Sequence, residues 1–368
     1  MNRLTGVNYG DGYSQSYTFD PMGNRLTMTD AQQHVSTYNN ANMLRTLDGN
    51  PYTNDLNGNT LTGGGRTNTW DSQNRLRQCV YGGTVSQFTY GSDGLRRTSN
   101  VNGTIRKYML DNGMMVRETD ANGVSQATYL AGLRGPEYRR DDVNGSIKWY
   151  VFDGLGSVLA EMDGSNGTLT ASRKLDVYGA PRATQGTPSS KHAFVGNLGH
   201  TTEPDTGGLV YMRARWMDPV TGTFLSEDPA RDGANWFAYC GGDPVNRVDA
   251  DGRRDTPIWL VIGQFGLNAL ATATLVAYVY SGTEAAAAST QLATSVICGR
   301  AWLGCRIGPE AEWIAKEVIG PLLTEIKAGQ SAALAASEAR GALAHKAIWA
   351  LTAAALVDVA VLAWTYVP

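Results

Sequence analysis

Two Asp-Pro steps and an arginine lie close together in the stretch ARWMDPVTGTFLSEDP, residues 214–229. A carboxylate with a tuned pKa can activate water or carry a proton. A neighbouring guanidinium can keep that carboxylate ionised or stabilise a developing oxyanion. The alternative is a structural role, because Asp before Pro also opens turns and loops. Arg215 and Asp228 are therefore either a reactive pair or a structural ion pair.

The elements around these residues are predicted to be strands joined by a turn. In LVYMRARWM, apolar residues at every second position (210, 212, 214 and 216) alternate with a tyrosine and two arginines. This alternation predicts one half-buried strand over residues 209–217. Residues 218–222 read DPVTG and predict a turn, since Pro fixes φ and Gly can adopt the left-handed conformation. Thr223 then begins the return strand. Asp218 is accordingly interpreted as a turn residue.

Upstream residues repeat a short unit of the kind that builds β-hairpins. The copies are YTFDPMGNRLT (17–27), NDLNGNTLT (54–62), TWDSQNRLR (69–77), TYGSDGLRRT (89–98), VFDGLGSVLAE (151–161) and DVYGAPRAT (176–184). An aromatic residue is expected to end one strand on its inner face, polar and Gly residues to form the turn, and Leu to begin the return strand. The aspartates assigned to turns are Asp20, Asp55, Asp71 and Asp93. Hairpins in series build a continuous sheet.

These units resemble YD repeats, also called RHS repeats, whose pattern runs Tyr-Asp-x-x-Gly-Arg-Leu. The copy FDPMGNRL at residues 19–26 is similar to this pattern with one residue inserted. Residues 206–252 strongly resemble the RHS repeat-associated core domain, through YMRARWMDPVTGTFLSEDP and WFAYCGGDPVNRVDADG. Because the chain opens at the end of one repeat, further repeats are expected upstream.

In that family the core domain closes a large β-sheet shell. It often cuts its own chain just after a final Asp-Pro-x-Gly-Leu, in the manner of an aspartyl protease. The resemblance places Arg215 at the functional arginine and Asp228 at the catalytic aspartate. The cut site reads DADGR here, with Ala for Pro and Arg for the Leu expected in the cleavage groove. The residues expected to form the cleavage region are Asp249, Gly252, Arg253 and Arg254.

Composition changes near residue 254, which predicts a domain boundary. The upstream part is rich in Gly, Asn and Asp, whereas residues 255–368 are rich in Ala and suit helices. The predicted domains are YD repeats at 1–190, the core domain at 191–254 and a variable tip at 255–368. The expected fold class is a β-rich YD-repeat shell of serial antiparallel hairpins, followed by a separate all-α, partly transmembrane-like region.

Two apolar segments of the tip, 257–281 and 347–367, are long enough to cross a bilayer. Trp259 and Trp364 lie near their ends, as interfacial aromatic residues often do. Asp358 lies within the second segment, where a carboxylate is costly in lipid and would be paired or functional. The tip is therefore interpreted as membrane-active. The alternatives are an apolar helical domain stored in the shell and an enzyme with an unrecognised site.

Charge and reactive side chains limit the expected partners. The net charge of −3 makes no electrostatic case for nucleic acid. The four cysteines are too scattered for a disulfide framework or a zinc site, so no metal or other cofactor is expected. His34, His192 and His200 are interpreted as surface or turn residues. Aspartyl-type self-cleavage is the one enzymatic activity suggested.

The resemblance implies a polymorphic toxin used against competing cells. Its shell would enclose its own tip and release it by self-cleavage, and the further partners would be a target-cell membrane and an immunity protein. The alternative is a cell-surface or wall-associated YD-repeat protein for structure or adhesion. That protein would be anchored by its apolar helices and would bind carbohydrate or other proteins; the altered cut site favours it. Both hypotheses place the protein among secreted or surface proteins.

Overall fold

The computed structural model describes residues 2–132 and 135–258, which belong to one compact unit, Met1–Val261. Their regular structure consists of antiparallel strands and a few short 3₁₀ helices, and the strands form four sheets. The predicted β-rich fold of serial antiparallel hairpins is therefore confirmed for this part of the chain.

The repeat region forms two sheets in which each strand pairs with its neighbours in the sequence. The first sheet comprises β1 (Gly6–Asn8), β2 (Ser14–Phe19), β3 (Arg25–Thr29), β4 (Gln33–Tyr38), β5 (Leu44–Leu47) and β6 (Asn50–Pro51). The second comprises β7 (Thr53–Asn54), β8 (Thr60–Gly63), β9 (Arg66–Trp70), β10 (Leu76–Tyr81), β11 (Thr84–Tyr90), β12 (Arg96–Val101), β13 (Thr104–Asp111), β14 (Met114–Thr119), β15 (Ser125–Gly132), β16 (Gly135–Asp141), β17 (Ile147–Phe152), β18 (Val158–Asp163), β19 (Leu169–Leu175) and β20 (Pro181–Gly186).

Five-residue turns with one hydrogen-bond pattern recur between these strands. The Asp20 N–H donates to the Asn24 carbonyl (3.0 Å), the Gly23 N–H donates to the Asp20 carbonyl (3.1 Å), and the Asn24 N–H donates to Asp20 Oδ1 (2.9 Å). Gly23, at the fourth position, has a φ of 91°, which favours Gly or Asn. The same bonds occur in the turns that begin at Asp55, Asp71, Asp120, Asp153 and Asp176. This carboxylate-capped turn explains why Asp and Gly recur three residues apart.

The predicted turn at Asp93 is present, with Gly91 at its first position and Asp93 at its third. The prediction that Leu begins each return strand is wrong for β3 and β12, which begin at Arg25 and Arg96. Both arginines are buried, whereas Leu26 is 37% exposed. The repeat therefore delivers arginine side chains, as well as apolar ones, to the inner face of the sheet.

The first and last hairpins of the repeat region contact each other. The Val177 N–H donates to the Tyr9 hydroxyl (2.9 Å), and the Arg182 guanidinium lies over the Tyr9 ring at 3.9 Å. The Tyr17 and Tyr178 rings meet edge to face, with their centroids 5.6 Å apart. The repeat strands therefore curve round until their two ends meet.

The residues after β20 form two small sheets. The third sheet comprises β21 (Thr201–Glu203), β22 (Leu209–Met212), β23 (Arg215–Asp218) and β24 (Thr223–Phe224), and the fourth comprises β25 (Arg247–Asp249) and β26 (Asp255–Pro257). The single strand predicted over 209–217 is wrong, because a turn with Arg213 at a φ of 60° separates β22 from β23. Every residue of these two strands is buried, not only one face. The predicted turn over 218–222 is present, with Gly222 at a φ of 66°.

The inner face of the repeat sheet packs against the third sheet. The Phe88 and Trp216 rings lie 4.7 Å apart, between their centroids. They belong to one buried apolar cluster that includes Leu76 from β10 and Leu209 from β22. The repeat strands and the residues after them therefore share a core.

Two buried ion pairs join the same two layers. Arg66 Nη1 lies 2.7 Å from Asp218 Oδ2, and Arg96 Nη1 lies 2.7 Å from Glu203 Oε1. The Arg96 guanidinium also lies over the Tyr211 ring, 4.6 Å from its centroid. Asp218 is thus both a turn residue and the partner of a repeat arginine.

The interpretation of His192 and His200 as surface or turn residues is wrong, because both are fully buried. Burial lowers the pKa of His192 to about 4 and that of His200 to about 3. Positive charge on the nearby Arg173 and Arg213, respectively, contributes to these lowered pKa values. Both imidazoles are therefore neutral at pH 7.

Of the predicted all-α tip, 255–368, only residues 255–258 are described, and Asp255–Pro257 form strand β26, paired with β25, instead of a helix. The rest of the tip lies outside the described residues, and so do its apolar segments 257–281 and 347–367 apart from residues 257 and 258. Within residues 2–132 and 135–258, no helix is long and apolar enough to cross a membrane.

The pair of Arg66 and Asp218 can be tested through Asp218→Asn in the full chain. Removing one partner of a buried ion pair costs about 3–5 kcal/mol, because the other charge stays uncompensated. The free energy of unfolding, measured by urea denaturation, should fall by that amount, and adding Arg66→Met should restore part of it. Asp111→Asn, which changes an exposed carboxylate, should alter the free energy by less than about 0.5 kcal/mol. Equal losses in Asp218→Asn and Asp111→Asn would contradict the assignment.

Burial of His192 predicts a loss of stability in acid. Unfolded histidine titrates near pH 6.5, whereas the folded His192 stays neutral down to about pH 4. Because the unfolded chain binds more protons in this window, the free energy of unfolding should fall by about 3 kcal/mol as the pH drops from about 6.5 to about 4. Urea denaturation at stepped pH should show a shallower fall for His192→Gln. A slope unchanged by the substitution would assign the acid sensitivity to another group.

Candidate self-cleavage site

Arg215, the first residue of β23, is buried and surrounded by hydrogen-bond acceptors. Its Nε donates to the Gly252 carbonyl (2.5 Å), Nη1 to the Trp236 carbonyl (2.9 Å) and Nη2 to Asp249 Oδ2 (3.1 Å). Asp228 Oδ2 lies 3.9 Å from the same Nη2. One guanidinium therefore contacts two carboxylates and a backbone carbonyl of the predicted cleavage region.

Asp228 lies in the loop after β24 and is buried. Its Oδ1 accepts a hydrogen bond from the Ala230 N–H (2.9 Å), and its Oδ2 accepts one from the Asp232 N–H (3.2 Å). The Asp228 N–H donates to the Trp236 carbonyl (3.1 Å), which also accepts a hydrogen bond from Arg215. These bonds fix the position of the carboxylate beside the guanidinium.

Asp249 ends β25 and is held against the backbone that follows it. Its Oδ1 accepts hydrogen bonds from the N–H groups of Gly252 (2.8 Å), Arg253 (3.1 Å) and Arg254 (3.3 Å). Burial raises the pKa of the Asp249 carboxyl, while the charge of Arg215 opposes the rise. Asp249 therefore contacts the N–H groups of the cleavage region and is protonated more readily than an ordinary aspartate.

Gly252 has no room for a side chain. Its φ is 74°, and a Cβ atom would lie 2.3 Å from the Met212 carbonyl oxygen and 2.9 Å from the backbone nitrogen of Arg215. Arg253 and Arg254 are exposed. The surface position of residue 253 accommodates the charge of Arg253, which replaces the apolar residue of the family pattern.

The site combines the groups that acid–base hydrolysis of a peptide bond requires: two carboxyls and a cation at the carbonyl oxygen. Sequence reasoning placed Asp249 in the cleavage region but missed its contact with Arg215. The two residues are 34 positions apart, so no local pattern indicates that contact. Among the residues that the structure describes, no cluster of His, Cys, Asp and Glu could hold a metal ion.

A family model called teneurin YD-shell matches residues 1–234 of the chain. The chain is 31% identical over 278 residues to the tRNA3(Ser)-specific nuclease WapA of Bacillus spizizenii and, equally, to the tRNA nuclease WapA of Bacillus subtilis. Each match covers 71% of this chain but only 12% of the relative. The similarity therefore concerns a small part of those much longer proteins.

Solved structures share the fold at low sequence identity. The crystal structure of TcdB2-TccC3-Cdc42 matches with a TM-score of 0.54 and 19% identity, over 66% of this chain and 13% of that one. The Tc holotoxin pore of Photorhabdus luminescens matches with a TM-score of 0.54 and 18% identity, over 66% of this chain and 13% of that one. Together with the hairpin repeats and the family match, these similarities show that the chain belongs to the YD-shell family of RHS/YD-repeat proteins.

Proposed function

We propose that this chain is part of an RHS-type polymorphic toxin and that it cuts itself between Gly252 and Arg254. The observation that carries the proposal is the Arg215 guanidinium, which contacts Asp228, Asp249 and the Gly252 carbonyl at once. A structural ion pair needs only one carboxylate, whereas hydrolysis uses a base, an acid and an oxyanion stabiliser.

In the proposed reaction Asp228 is the base and Asp249 the acid. The Asp228 carboxylate takes a proton from a water molecule, whose oxygen bonds to the carbonyl carbon of Gly252. Arg215 stabilises the negative charge that develops on the carbonyl oxygen. The Asp249 carboxyl gives its proton to the nitrogen of Arg253 as the carbon–nitrogen bond breaks. The products are a carboxyl group on Gly252 and an amino group on Arg253.

The adjacent bond, between Arg253 and Arg254, is the second candidate. The Arg254 N–H also donates to Asp249 Oδ1, at 3.3 Å against 3.1 Å for Arg253. The Gly252 carbonyl is the one bound by Arg215, which favours the bond between Gly252 and Arg253.

The shell and core, at 1–190 and 191–254, would carry the tip at 255–368 as their own partner. The apolar composition of the tip supports action on a target-cell membrane after secretion, with an immunity protein protecting the producer. The names of the WapA relatives instead point to tRNA as a substrate, which is the second candidate for the tip. A surface adhesion protein that keeps its tip attached is the alternative for the whole chain.

Substitution of either carboxylate tests the self-cleavage proposal. Asp228→Asn, Asp249→Asn and Arg215→Lys should each slow the cut at least about 100-fold, because each removes an acid–base group or the donor to the oxyanion. Intact-mass spectrometry of the purified full chain measures the cut fraction with time and identifies the bond. Asp111→Asn is the matched control and should cut like the wild type. An uncut wild type, or an unchanged rate in Asp228→Asn, would contradict the proposal.

Vesicles test the proposed action of the tip. The cleaved full-length preparation should release dye from liposomes that contain anionic lipid, and uncleaved Asp228→Asn should release much less. Total tRNA incubated with the same two preparations provides the comparison. Fragmentation of tRNA by the cleaved preparation without dye release would contradict the membrane hypothesis and favour a nuclease tip. Absence of both activities would favour the adhesion protein.

A further inference from the structure

Three consecutive carbonyls of the cleavage region each accept a hydrogen bond from the core. The Ala250 carbonyl contacts His200 Nε2 (3.3 Å), the Asp251 carbonyl accepts a bond from the Ala214 N–H (3.0 Å), and the Gly252 carbonyl accepts one from Arg215 Nε (2.5 Å). The last two donors are adjacent residues, Ala214 just before β23 and Arg215 at its start, whereas His200 directly precedes β21. His200 therefore fixes the cleavage region from a second point of the fold.

The surroundings of His200 suit a bond to Ala250 better than a role in packing alone. The side chain is fully buried, and its Nδ1 has no hydrogen-bond partner among the described residues. A buried polar atom without a partner is costly, so an apolar ring would fill this space at lower cost. Burial, together with the positive charge of the nearby Arg213, lowers the pKa of His200 to about 3. The imidazole is therefore neutral, and its Nε2–H tautomer donates to the Ala250 carbonyl.

We propose that His200 is a positioning residue for self-cleavage: its bond to the Ala250 carbonyl sets which peptide bond lies at Arg215 and Asp249. This inference rests on the proposed function. On the opposite side of the same backbone, Asp249 Oδ1 accepts the N–H groups of Gly252 and Arg253. Donors from the core that bind the carbonyls, together with a carboxylate that accepts the N–H groups, hold the peptide in one register.

Loss of the Ala250 anchor should slow the cut through geometry. A displacement of about 1 Å at a reacting centre can cost about 100-fold in rate. Slippage by one residue would also present the bond between Arg253 and Arg254 to Arg215. The expected signature is therefore a slower and less uniform cut.

The test compares His200→Phe, which keeps a ring but has no donor, with His200→Gln, whose amide N–H can replace Nε2–H. His200→Phe should cut at least about tenfold more slowly, while His200→Gln should stay within about threefold of the wild type. Intact mass gives the rate and the bond that is cut, and urea denaturation gives the free energy of unfolding. Equal rates in the two variants, or rates that follow only the loss of stability, would overturn the proposal. His200→Leu replaces His200→Phe in the comparison if the latter does not fold.

A second arm separates this inference from the proposed function. In an Asp228→Asn background, hydrogen exchange at the Arg253 and Arg254 N–H groups reports how firmly Asp249 holds them without any cut. Adding His200→Phe should accelerate this exchange at least about fivefold relative to His200→Gln, because one anchor of the backbone is lost. Equal exchange rates in the His200→Phe and His200→Gln variants would overturn the positioning role, even if the wild type cuts itself. An uncut wild type with the expected difference in exchange rejects the proposed function and retains the role of His200 in holding the loop.

Discussion

Buried arginine–carboxylate pairs hold the inner strands in register with the repeat sheet. Arg66 pairs with Asp218, and Arg96 pairs with Glu203. Removing such charges from water is costly, so the pairs are stable only when their geometry and remaining hydrogen bonds are well matched. Arg66 also donates to the carbonyls of Thr206 (2.7 Å) and Gly207 (2.9 Å), so each of its three side-chain nitrogens has an acceptor. Arg96 is satisfied less fully, because its Nη2 donates to Thr201 Oγ1 (2.9 Å) while its Nε has no hydrogen-bond partner among the described residues. Together the two buried pairs leave few alternative positions for the inner strands.

Strand β23 connects the contact between the inner strands and the repeat sheet to the candidate site. Its last residue, Asp218, binds the repeat arginine, and its first residue, Arg215, binds Asp249 and the Gly252 carbonyl. Between them, Trp216 packs on Phe88 of the repeat sheet. Four residues thus carry the shell contact, a core ring and the guanidinium of the site. The geometry of the site consequently depends on the assembled shell, although the site residues all lie downstream of the repeats.

Local sequence patterns predict the repeat hairpins because Asp and Gly three residues apart encode the capped turn directly. The pattern fails where another residue meets the same requirement: the turn that begins at Asn39 uses an amide oxygen, and the turn at Asp120 follows Thr119 instead of an aromatic residue. The hairpin of β22 and β23 is missed because Arg213 adopts a left-handed conformation without Gly or Asn.

The site was predicted only in part, because most of its contacts join residues that are far apart in the sequence. Resemblance identified Arg215 and Asp228, which are 13 residues apart, and placed Asp249 and Gly252 in the cleavage region. The structure adds the contacts of Arg215 with these two residues and the second anchor at His200. These contacts span 34, 37 and 50 positions and depend on how the chain folds back on itself. The burial of His192 and His200 likewise depends on tertiary structure, so it could not be predicted from the residue type.

The central claim is that the folded chain cuts itself, and refolding at different protein concentrations tests it most directly. The full chain is unfolded in denaturant, diluted to concentrations about tenfold apart, and followed by intact-mass spectrometry. An intramolecular reaction predicts the same first-order rate at both concentrations, with fragments that meet between Gly252 and Arg254. A rate that rises with concentration would assign the cut to another molecule. A refolded chain that stays intact would make Arg215, Asp228 and Asp249 a structural network.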